Sequence, residues 1–164
     1  MLSELQQKRV WEGWLGAEIR AHYFGDLVSQ YQSWQQWLTI STLVFSSAAF
    51  AAILDDTWLP QQMLWLKPAA ALAAAVASFV SLIFKNEQKA LECSDLYTGW
   101  SRLALDFQEL WDGMYSDDAA EKLASLDKRR QELSRAGLKL PERKRLMLKW
   151  QDYIEDQHRL HMAA

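Results

Sequence analysis

Cysteine is almost missing from this chain. Cys93 stands alone among 164 residues, so no disulfide framework can form within the chain, and a reducing compartment follows. Proline (3) and glycine (6) are scarce, and no alternating β-branched run of strand length occurs. That excludes a turn-rich sandwich or barrel and leaves a nearly all-helical chain. No excess of one charge dominates either, because the formal net charge is only −3, too small to point to nucleic acid or to an acidic ligand. The first 36 residues carry Glu4, Lys8, Arg9, Glu12, Glu18, Arg20 and Asp26 and hold no apolar core of signal-peptide length. Enzyme signatures are absent too: there is no Gly-rich phosphate loop, no GxSxG and no CxxC. The chain is therefore expected to be no enzyme, and to need no cofactor and no metal. Glu155, Asp156, His158 and His161 make the densest ligand-like group. They are read as an exposed helix end, with Glu155 and Arg159 paired at i, i+4.

What is present is apolar sequence gathered into two blocks. Residues 37–54 form 18 positions without an ionisable group, a helix of ~27 Å against a hydrocarbon core of ~30 Å. The second block covers 64–84, with Lys67 at its edge and Pro68 in a first turn. Trp34, Trp37, Trp58 and Trp65 bracket the two blocks, as aromatic belts do at a membrane interface. This predicts an all-α fold with a transmembrane hairpin (37–84, acidic outer loop 55–63), a lead-in helix at 1–36 and a helical stem and hairpin at 85–164. The loop has two aspartates and no basic residue, whereas Arg20, Lys85, Lys89 and Arg102 flank the blocks. By the positive-inside rule both termini face the cytoplasm of a bacterial inner membrane. Thr39, Thr42 and Ser46 give the first block a hydroxyl face, and Ser78 and Ser81 give the second a shorter one. Two readings stay open: close packing of the spans, or lining of a water-filled path between several subunits.

The remaining sequence is amphipathic. Trp14, Ala17, Ala21, Phe24, Val28 and Tyr31 make one apolar stripe on the lead-in helix, with small residues that favour packing on the domain behind the second block. Cys93, Leu96, Trp100, Leu103, Phe107, Leu110 and Met114 alternate strictly by three and four, a heptad seam for a bundle or for an oligomer. Ser116, Asp117 and Asp118 predict a turn and N-cap, Gly137 a helix end, and Leu140–Pro141 the start of a last helix. Residues 86–121 hold nine acidic and two basic side chains, whereas 122–149 hold three acidic and ten basic. The basic hairpin, with Lys128, Arg129, Arg130, Arg143, Lys144 and Arg145, either folds back on the acidic stem or binds lipid headgroups or an anionic signal.

This order of elements, with Glu18, Ile19, Arg20, Ala21, His22 and Tyr23 in the lead-in, resembles the SLATT-type two-transmembrane-helix effector domains of bacterial conflict and anti-phage systems. The resemblance implies a pore-forming or channel-forming effector, silent until a nucleotide signal or infection cue arrives, that then assembles into a homo-oligomer and depolarises the membrane. Membrane lipid would be its partner. No sensor domain is recognisable, so the basic tail or a sensor protein in trans would receive the signal. The competing expectation is a non-conducting anchor or adaptor whose helices recruit a partner protein.

Overall fold

The computed structural model describes residues 2–54, 69, 72–73, 75–76 and 86–163. Among them the chain is all-helical, with four helices: α1 (Glu4–Leu54), α2 (Asn86–Asp112), α3 (Ala119–Gly137) and α4 (Lys144–Ala163). Two compact units result, one made of Met1–Val28 with Leu91–Ala164 and the other of Ser29–Ala90.

α1 is opened by a reciprocal cap. The Ser3 backbone N–H donates to Gln6 Oε1 at 2.9 Å, and the Gln6 N–H donates to Ser3 Oγ at 3.4 Å, which satisfies two donors that a helix start leaves orphaned. From there the helix runs 51 residues without a break. Nothing in its sequence stops it, since no proline falls in 1–54.

In the first unit the predicted seam of α2 is the core. Cys93, Leu96, Trp100, Leu103, Phe107 and Leu110 are all buried within this one chain. Val10, Ala17, Ala21 and Phe24 of α1, Leu123 and Leu126 of α3, and Ile154 of α4 are buried in the same unit. The seam thus fills a bundle interior, and Met114 falls in the turn beyond α2, half-buried. Gly13 lets α1 and α2 approach closely, for a Cβ there would lie 2.6 Å from Phe107 Cζ. At the start of α3, Asp118 sits at the cap position, but its side chain makes no cap hydrogen bond. It pairs instead with Lys122 at 2.9 Å, which holds the Asp118 carboxyl below, and the Lys122 ammonium above, its ordinary range. Gly137 closes α3, followed by the tight bonds Leu138 N–H to Arg135 O and Leu140 N–H to Gly137 O. The last helix begins at Lys144, later than Leu140–Pro141 suggests. Arg143 donates its N–H to Tyr23 Oη at 3.0 Å, and its carbonyl accepts from Leu146 and Met147, so Arg143 is where the helical ladder starts.

The expected transmembrane hairpin is overturned. Among the described residues no helix is long and apolar enough to cross a membrane. The first block is no separate span but the end of α1, whose earlier turns are charged. At 18 residues, five of them Ser or Thr, the block falls at the short and polar limit of what ~30 Å of hydrocarbon demands. The membrane-protein, ion-channel and inner-membrane assignments fall with the hairpin, and the pore reading loses the spans it required. Of the second block, residues 69, 72, 73, 75 and 76 are helical. Its other positions, the acidic loop 55–63, Trp58, Trp65, Ser78 and Ser81 lie outside the described residues, as does the join between that block and α2.

Candidate functional site

The second unit carries the most conspicuous surface. From 27 to 54 the chain has no acidic, basic or histidine residue, so this part of α1 carries no polar side chains beyond amides, hydroxyls and the indoles of its tryptophans. Tyr31 is buried and Leu38, Ser41 and Thr42 are half-buried. On the other side Trp34, Trp37, Ile40, Leu43 and Val44 are each more than half exposed, at 52–67 %. Positions 34, 37, 40 and 44 follow helical spacing and share one face, with Leu43 at its edge. Single exposed apolar residues are ordinary, but a contiguous apolar face marks an interaction surface.

The hydroxyls singled out from sequence play another part. Thr39 Oγ1 donates to the Gln35 carbonyl at 3.0 Å and Thr42 Oγ1 to the Leu38 carbonyl at 2.8 Å. Both are bonded back into their own helix, which uses up their donors. Of Ser46 only the helical backbone is described. The face that matters is apolar. Sequence spacing held the signal for it in Trp34, Trp37, Ile40 and Val44, although Trp34 and Trp37 there suggest an interfacial belt.

The basic residues are distributed over two elements. On α3, Arg129 pairs with Asp106 of α2, and Arg130 lies 3.3 Å from Asp127, which also pairs with Arg9 of α1. Lys128 is exposed. Before and within α4, the Arg143 backbone docks on Tyr23, while Lys144 and Arg145 are exposed. The basic segment therefore spends Arg129 and Arg130 on neighbouring carboxylates within the chain, surface pairs worth at most ~1 kcal/mol each.

α4 is held on α1 by aromatic and polar contacts that no local spacing announces. Trp150 stacks on His22 at 4.6 Å and donates its indole N–H to Asp26 Oδ2 at 2.9 Å. One end further on, His158 Nε2 lies 2.9 Å from Glu18 Oε2. Its ring meets Trp11 and Trp14 edge-on at 5.1 and 5.4 Å. The histidine is therefore occupied, and among the described residues no group of three His, Cys, Asp or Glu side chains gathers to hold a metal. Cys93 is buried in the seam, and burial, followed by the Glu92 carboxylate, pushes its thiol up to about 11. Burial and the raised thiol both disfavour the reactive thiolate. No family model, curated protein or solved structure matches this chain, so its own geometry has to carry the functional reading.

Proposed function

We propose that this chain is a non-enzymatic helical adaptor that works as a self-associating unit, pairing with a second copy through the uncharged face of α1. One observation carries the reading: Trp34, Trp37, Ile40, Leu43 and Val44 stand exposed on a helix stretch without a single charge. A symmetric pair places the same patch against itself, which any charged patch of one sign would resist. A charge-free face meets its copy without that cost. The five side chains offer on the order of 600 Å² per chain and 1,200 Å² across a pair, the lower edge of a specific interface. An interface of that size and with two tryptophans fits a dimer of micromolar order, roughly.

The test is sedimentation velocity across a hundredfold concentration range. Wild type is expected to show a concentration-dependent monomer–dimer equilibrium. Trp37→Glu should be monomeric with unchanged helicity, whereas Leu105→Glu, at an exposed position of α2, should dimerise like wild type. A wild type that stays monomeric at every concentration, or a Trp37→Glu dimer of wild-type strength, refutes the proposal.

A further inference from the structure

In the first unit all three of the other helices join α1 around a cleft of about 450 Å³, within the range of small-molecule sites. Its walls are apolar for the most part, with Phe24 from α1, Leu133 from α3, Leu140 from the connector and Met147 from α4. Two features do not suit a site meant for water. Arg20 lines the cleft half-buried, its Cζ 5.0 Å from the centre of the Trp100 ring. Among the described residues its one hydrogen bond goes to the Gly16 carbonyl at 2.9 Å, and it enters no ion pair with a carboxylate. Burial, then the nearby charge of Arg130, holds the guanidinium below its ordinary basicity, as expected of a desolvated cation lacking a counter-ion. Trp100 also lines the cleft, and its indole N–H is buried without an acceptor. A half-buried guanidinium without a counter-ion at an apolar cavity carries a cost that an incoming anionic acceptor would remove.

We propose that this cleft binds a small organic monocarboxylate with an apolar body, its carboxylate on Arg20 and its body against Phe24, Leu133, Leu140 and Met147. The charge count sets the class. Arg20 is the one cation among the lining residues, and Glu142 at the same cleft is an anion. A diphosphate or triphosphate would meet too little positive charge and a repelling carboxylate, whereas a single carboxylate matches one planar guanidinium fork. A neutral apolar molecule would fill the space and leave the cation unpaired. The site is independent of the pairing face on α1, since all its lining residues belong to the first unit.

Naphthalene-1-acetate and its neutral analogue naphthalene-1-acetamide are suitable probes, titrated into the full chain by calorimetry and followed at the Trp100 indole N–H resonance. The acetate is expected to bind saturably and to shift that resonance, and the amide to bind at least tenfold more weakly. Arg20→Met should lose at least tenfold in acetate affinity and little in amide affinity, and Arg20→Lys should retain part of it. Should Arg20→Met fail to fold, the comparison of acetate with amide on wild type decides alone. No saturable acetate binding at millimolar concentration, equal binding of the two probes, or undiminished acetate binding by folded Arg20→Met overturns the proposal.

Discussion

Replacing Gly13 with alanine tests how tightly α1 and α2 are joined. The added Cβ would lie 2.6, 2.7 and 3.1 Å from Cζ, Cε1 and Cε2 of Phe107. Phe107 is fully buried in the α2 seam and, being a rigid ring, has no loose end to swing aside. Relief requires the ring or a helix to shift, an overpacking cost of about 1–3 kcal/mol. Against this, alanine in a helix interior gains about 1 kcal/mol over glycine. Contacts this short place the cost in its upper range, so a net loss of about 1–2 kcal/mol is expected. Gly99→Ala is the matched comparison. Its Cβ would meet Leu133 Cδ2 at the same 2.6 Å, but that atom is the end of a flexible, half-buried side chain beside the cleft. Leu133 can turn away, the helix gain survives, and the net change should stay within about 1 kcal/mol of zero. Urea unfolding followed by far-ultraviolet circular dichroism measures both variants, and thermal midpoints should move by about 2–4 °C per kcal/mol. If Gly13→Ala is as stable as wild type, or if both variants lose equally, the close helix contact through Phe107 is wrong.

Further outcomes follow from the rest of the bundle. Trp150→Phe removes the donor to Asp26 at 2.9 Å while leaving an aromatic ring on His22; a loss of about 1–2 kcal/mol in urea unfolding is expected, and none would mean that α4 is not held there. Cys93, whose thiol is raised by burial to about 11, should resist a disulfide reagent at pH 8 and react at once in urea. Because the folded thiol keeps its proton where the unfolded one has lost it, this group's contribution is fully present below the ordinary value of 9.0. It is lost as pH rises through about 11. Unfolding of wild type and Cys93→Ala between pH 8 and 11 should therefore show the steeper fall in wild type.

Local chemistry carried much of this fold. The three–four alternation of Cys93, Leu96, Trp100, Leu103, Phe107 and Leu110 marks one side of a helix whatever surrounds it, and all six positions are buried. The stripe through Ala17, Ala21 and Phe24 on α1 was legible for the same reason. The Ser3–Gln6 cap had a signal of its own in Ser-x-x-Gln. No helix breaker separates Asp26 from Leu54, and the lead-in stripe and the first apolar block share one helix. Hydropathy alone did not say what covers that block. An apolar side chain satisfies lipid, a core or a second copy equally well, and the 18-residue length lay at the boundary between these solvents.

The helical character of the chain, the α2 seam and the uncharged stretch of α1 were thus determined by the sequence itself, because periodicity, capping and charge act between residues a few positions apart. Which faces meet was decided only in three dimensions. Trp150 finds Asp26, His158 finds Glu18, and Arg143 finds Tyr23 across more than a hundred residues of chain. Arg20 becomes a desolvated cation at a cleft only because all three of the other helices close around it. Such pairings depend on which surfaces pack and on what that packing leaves unpaired, and no local spacing encodes either.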